Sequence, residues 1–208
     1  MKTEAHQRYQ DYPGVTTVLN ILDKPALVKW ANNLGLKGID SYRFRSERAE
    51  VGTLTHHLVM CYFTGETPDT DDYSAKQIRE AGQAMVLFHK WVDTYKPEPI
   101  LVEKSLISRR YGYGGTLDLY AKLHMYEQEF KELIDFKTSP GFYPSHFAQL
   151  AAYLHLLEEN GYSVENARLV KLGIIPAMET FGEAQLLELG TYWKLFLHCL
   201  AIYNMKVL

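Results

Sequence analysis

The most constraining feature of this sequence is a change of hydrophobic period near residue 100. Upstream, apolar residues recur at helical spacing. Downstream come three short apolar runs with strand character, Ile100 to Ser108, Thr116 to Leu123 and Phe130 to Lys137. Tyr111-Gly112-Tyr113-Gly114-Gly115 supplies the turn between the first two. Ser145 then caps a helix to about Glu159, ended by Asn160-Gly161, and Ala167 to Ile175 forms a fourth strand-like run. Three meandering strands, a crossover helix and a further strand require a mixed sheet with helices packed on it. The predicted fold class is α/β (α+β), with a β-β-β-α-β core.

The flanks read as helical. Pro25 opens a helix to about Leu34, stopped by Gly35, and a second helix is expected from about Arg48 to Phe63. Ser41 to Arg48, just before it, is basic and aromatic. Ser74 caps a long helix to about Tyr95, which Lys96-Pro97-Glu98-Pro99 stops. Glu183 to about Met205 reads as one closing amphipathic helix. With 208 residues, one domain is expected. Residues 12–98 form its helical region, 99–176 its core and 183–206 its closing helix.

Two of the strand-like runs carry acids placed for chemistry. Asp118 lies in Gly114-Gly115-Thr116-Leu117-Asp118, and Asp135 in Leu133-Ile134-Asp135-Phe136-Lys137. Alternation along a strand puts Asp135 and Lys137 on one face and Phe136 on the other. Leu117 and Leu119 are both expected on the face opposite Asp118. Converging carboxylates repel unless a cation separates them, and a hard divalent ion such as Mg²⁺ suits oxygen donors. A lysine beside such a site suits an anionic substrate and its attacking water, as in metal-assisted phosphodiester hydrolysis.

Other residues fall at suggestive spacings. His56 lies one helical turn after Gly52, on the same face. Gln149 and Tyr153 share a helix face beside the apolar stripe of Leu150, Leu154 and Leu157. Glu103 could add a third carboxylate, but its neighbours Val102 and Lys104 leave its face undecided. Arg43, Arg45 and Arg48 interleave with Tyr42 and Phe44; such a run is either a solvated helix face or a single-strand binding surface.

The net charge of -3 requires any nucleic-acid contact to come from a local basic groove. Two cysteines, Cys61 and Cys199, exclude a disulfide framework or a four-cysteine cluster and point to a reducing compartment. The N-terminus lacks an apolar signal region, and no run reaches the ~18 apolar residues of a membrane span. A cytoplasmic protein without membrane contact is expected.

Taken in order, Gly52 to His56, Gly114 to Asp118, Asp135 to Lys137 and Gln149 to Tyr153 resemble the PD-(D/E)XK nuclease superfamily, in its RecB-like exonuclease branch. The opening Pro13 to Leu19 followed by Asp23-Lys24-Pro25-Ala26-Leu27 resembles phage and bacterial members, and the mitochondrial genome maintenance exonuclease is a more distant likeness. The resemblance covers about residues 12 to 175. It implies a restriction-endonuclease-like core and Mg²⁺-dependent DNA exonuclease activity in a bacterial or phage-infected cytosol, with Mn²⁺ able to substitute. It makes Asp118, Asp135 and Lys137 catalytic. His56, Asp118, Asp135 and the Phe136 carbonyl would be metal ligands, with Glu103 as a further candidate. Gln149, Tyr153 and Thr138 would contact the substrate, along with Arg43 and Arg45. Some relatives carry an iron–sulfur cluster on four cysteines, a number this chain does not have. A helicase or single-strand annealing or binding protein would be a separate partner. The alternatives on the same fold are a structure-specific endonuclease and a catalytically silent DNA-binding subunit.

Overall fold

The computed structural model describes residues 12–22, 25–125, 128–173, 181–186 and 189–206. Asp23 and Lys24 of the opening motif, and the last two residues of the expected fourth strand, lie outside them. The elements run α1 (Val15–Leu19), α2 (Pro25–Gly35), α3 (Ser41–Thr64), α4 (Ala75–Tyr95), β1 (Glu98–Ser108), β2 (Tyr113–Met125), β3 (Gln128–Lys137), α5 (Pro144–Glu159), β4 (Asn166–Leu172), β5 (Phe181–Leu186) and α6 (Gly190–Lys206). The sheet order is β1-β2-β3-β4-β5. β1, β2 and β3 form an antiparallel meander, β3 and β4 are parallel across α5, and β5 returns antiparallel. This is the expected mixed sheet, extended by one strand.

Each side of the sheet carries its own core. On one side α1, α5 and α6 cover Leu133, Leu169 and Tyr120 with Leu150, Leu157 and Phe196. On the other, α3 and α4 cover Leu119, Ile134, Phe136 and Val170 with Leu54, Phe88 and Trp91. Burying each such side chain contributes about 1.5–3 kcal/mol, which fixes both helical layers against the strands. Leu117 belongs to the first core and Leu119 to the second, against the expectation that they share a face. Strict alternation therefore breaks at Asp118, between them.

Local signals explain most of the boundaries. Ser74 and Gln77 form a reciprocal capping box at the start of α4. Gly65 takes the left-handed conformation that ends α3. α3 begins earlier than expected because the Asp40 carboxylate accepts from the Tyr42 and Arg43 amides. The basic run is thus the first two turns of the helix that carries His56.

The closing helix over 183–206 is corrected: its first part is strand β5, and the helix starts at Gly190. Pairing removes the free edge of β4. It also brings Glu183 to Arg168, which is 2% exposed. Arg168 pairs through Nε, at 2.8 Å, with the fully buried Glu132. The Arg168 guanidinium lies 4.5 Å from the Tyr95 ring centroid. The Tyr95 hydroxyl donates to Glu183 at 2.7 Å. One buried cation thereby ties β3, β4 and β5 to the end of α4.

Removing that cation should expose the cost of the buried acid. Arg168→Met should destabilise by roughly 3–5 kcal/mol, the range for breaking a buried pair from one side. Arg168→Met with Glu132→Leu should recover a large part of it. Urea unfolding of the three proteins checks this; a single variant within about 0.5 kcal/mol of the parent, like an ordinary surface change, would contradict the assignment.

Candidate metal and catalytic site

The site forms where β2 and β3 part. Their pairing runs from Met125 and Gln128 to Leu119 and Ile134. Beyond it the Phe136 amide donates to the Asp118 carboxylate, Oδ2, at 2.8 Å. A side chain replaces a main-chain acceptor, and the strands fork around the acids. Phe136 is held on the far face by Phe88 and Trp91, with ring centroids 5.6 and 5.4 Å away. Asp135 and Lys137 therefore share the other face, as alternation predicted.

Asp135 is fully buried. Lys137 Nζ lies 2.6 Å from its Oδ2, an ion-pair contact. Neither Asp135 oxygen has a well-formed hydrogen bond. Lys137 Nζ also donates to Gln149 Oε1 at 3.0 Å, and Gln149 Nε2 donates to the Tyr153 hydroxyl at 3.0 Å. These contacts link Asp135, Lys137, Gln149 and Tyr153 in series. Tyr153 is only 4% exposed, so it stands behind Gln149 rather than at the surface. Gly115 makes room for it: a Cβ there would come within 2.5 Å of the Tyr153 ring.

The other half of the site comes from α3 and β1. His56 Nδ1 is 3.3 Å from Asp118 Oδ1. His56, Glu103 and Asp118 each offer a donor atom, all within 4.8 Å of one another. Glu103 is the residue whose face the sequence left undecided. It sits at the register position facing Asp118, between the pairs Val102–Leu119 and Lys104–Leu117, with φ of 45°. A non-glycine residue there is strained by roughly 1–3 kcal/mol, and such strain clusters at functional sites. Asp135 stands beside this group and engages Lys137. The donor set of one imidazole and clustered carboxylates, beside the buried carboxylate of Asp135, fits a hard divalent cation.

Gly52 is explained by a close approach. A Cβ at residue 52 would lie 2.9 Å from Thr138 Oγ1, so the glycine lets the chain after Lys137 pass against α3. Farther along α3, Arg43 is 80% exposed and pairs with Glu47. Arg45 lies over the Tyr42 ring. Arg48 differs: it pairs with Glu80 on α4 and covers Phe44, so it joins two helices. Arg45 precedes His56 by eleven residues, about 16 Å along the axis and within ~20° of the same face.

The charges at the fork shape one another. Burial opposes charge on His56, but Asp118 beside it outweighs this and pushes its pKa up to about 9. Burial would likewise raise Asp118, yet His56, Lys137 and the Phe136 amide together hold it below the usual carboxylate range. Asp135 moves the other way, up to about 6, because burial and the Asp118 charge outweigh Lys137.

No protein-family model and no curated protein matches the chain. Solved structures do. The chain is similar to a candidate exonuclease from Eubacterium rectale, with a TM-score of 0.50 and 10% identity over 76% of this chain. It spans 66% of that protein's length. It is also similar to LHK-Exo, an alkaline exonuclease from Laribacter hongkongensis, with a TM-score of 0.39, 12% identity and coverage of 78% of this chain and 89% of that one. The complex of LHK-Exo with dAMP gives 0.38 and 14% over the same shares. The fold is restriction-endonuclease-like: a mixed sheet between helical layers, preceded by a helical region.

The His56–Asp118 pair sets a pH dependence. Its imidazole is protonated more readily in the folded state than at its ordinary 6.5. The resulting stabilisation is complete below about 6.5 and is lost as pH rises through about 9. Metal-free protein should therefore lose melting temperature between these values, and His56→Gln should flatten the fall. Parallel curves for the two proteins would contradict the pairing.

Proposed function

We propose that this protein is a Mg²⁺-dependent DNA exonuclease of the RecB-like branch of the PD-(D/E)XK superfamily. The observation that supports it most directly is the fork itself. There Asp118, Asp135 and Lys137 converge with His56 and Glu103 where β2 and β3 part, on a restriction-endonuclease-like sheet. Fold alone does not name a chemistry; a carboxylate cluster beside a held lysine suits phosphodiester hydrolysis.

His56, Glu103 and Asp118 would hold the cation, with Asp135 and the Phe136 carbonyl adjoining it. The bound ion would supply charge neutralisation at the scissile phosphate and a lowered pKa for water. His56 must release its proton to become a ligand, and Asp118 is already held ionised. Gln149 and Asp135 hold Lys137 in place, so its ammonium is oriented before substrate arrives. Lys137 would then orient the attacking water or stabilise charge developing on phosphate oxygens. Thr138, next in the chain after Lys137 and against Gly52 of α3, would contact the substrate too. Arg43, Arg45 and Tyr42 extend along α3 as a basic, aromatic surface suited to a single strand, which offers unpaired bases for stacking.

Lys137→Ala should lower cleavage on the order of 10²-fold or more while leaving DNA binding nearly intact. Activity within a few-fold of the parent would remove Lys137 from the mechanism. Digestion of end-labelled single strand, blunt duplex and relaxed circle, with Mg²⁺, Mn²⁺ or EDTA, tests the reaction. Metal-dependent loss of the single strand from its ends is expected. Efficient nicking of the circle would instead favour a structure-specific endonuclease.

Mg²⁺ or Mn²⁺ should raise the melting temperature, because a ligand that binds only the folded state stabilises it by mass action. Asp118→Asn should remove most of that increment. An equal shift in parent and variant would show that Asp118 is not a ligand.

A further inference from the structure

We propose that Lys171 is a second phosphate-binding residue of this site, a role that rests on the nuclease reading. Lys171 is the register partner of Lys137 on the neighbouring parallel strand, so both side chains leave the same face of the sheet. Adjacent strands lie about 4.8 Å apart. Two lysines rooted on neighbouring strands at that backbone spacing bring two positive charges to one end of the sheet, which favours an anion there. Both also sit at the carboxyl ends of β3 and β4. In open sheets with parallel strands, ligands bind outside those ends.

The charge inventory separates the two lysines. Lys137 is balanced by Asp135 and held by Gln149. Glu103 and Asp118 group with His56. Lys171 has no acidic partner among the described residues; its Nζ donates to the Pro140 carbonyl at 3.3 Å. That neutral acceptor lies in the loop directly after the Asp-x-Lys strand. With a backbone carbonyl as its hydrogen-bond acceptor, the Lys171 ammonium has no acid among the described residues to balance its charge. A phosphodiester neighbouring the scissile one can supply the missing anion, and the loop contact keeps the lysine within reach of it.

A loop tether and a phosphate contact are separable. Lys171→Gln keeps a donor for Pro140 and removes the charge. Lys171→Arg keeps both. Binding of a labelled single-stranded oligonucleotide in EDTA, across a salt series, reads the charge directly. Lys171→Gln should reduce the slope of log Kd against log salt by about 0.7, one phosphate contact on a single strand. In Mg²⁺ it should raise KM several-fold with little change in kcat. Lys171→Arg should match the parent in both measurements. A folded Lys171→Gln protein with the parent's slope and KM would overturn the proposal and leave Lys171 as a loop tether. A fall confined to kcat would overturn it too. If the parent neither binds nor cuts DNA, the nuclease reading falls and this proposal with it. If the parent does both while Lys171→Gln is unaltered, only the proposal falls.

Discussion

The hydrogen bond from the Phe136 amide to the Asp118 carboxylate is the hinge between sheet and site. A continuous ladder would have paired the two strands to their ends and turned their acids into neighbours on a closed surface. Substituting a carboxylate for a carbonyl opens the ladder at one point. The opening leaves Asp118 close enough to Asp135 to raise the latter's proton affinity. It also leaves space that α3 and α5 can reach.

Those helices belong to opposite layers, which explains how the fork is furnished. α3 lies in the core that includes Leu119 and Phe136, and it delivers His56. α5 lies in the core that includes Leu133 and Leu169, and it delivers Gln149. The two glycines of the motifs serve this convergence. Gly52 lets Thr138 come against α3, and Gly115 leaves room for the Tyr153 ring behind Gln149. Each is a contact where even one carbon is too many, and packing at interior density makes such clearances specific.

Much of this was legible in the chain. The strands around Asp118 and Asp135, the crossover helix carrying Gln149 and Tyr153, and the paired projection of Asp135 and Lys137 follow from local periodicity, although that helix starts at Pro144 after Tyr143 and is not capped by Ser145. The misread segment is equally instructive. Residues 183–186 have helix-compatible composition, but the open edge of β4 and the buried Arg168 outweigh that preference by pairing the strand and neutralising Glu183. Leu117 and Leu119 looked alike, yet they fall in different cores because the alternation slips at Asp118. Arg48 reads with Arg43 and Arg45 as one basic run, but only contact with Glu80 shows that it joins helices.

The sequence by itself determined the class of fold, the order of its elements through β4 and the residue types able to bind a cation and an anionic substrate. These depend on periods of two and 3.6 residues and on turn chemistry, which act over a few positions. Only the tertiary structure decided where the strands part, why Glu103 adopts a left-handed backbone opposite Asp118, and which side chains lie beside Lys137. Those outcomes arise from contacts between residues far apart in the chain. They follow from how two helical layers compete for the faces of one sheet, and that competition has no signature in any short segment.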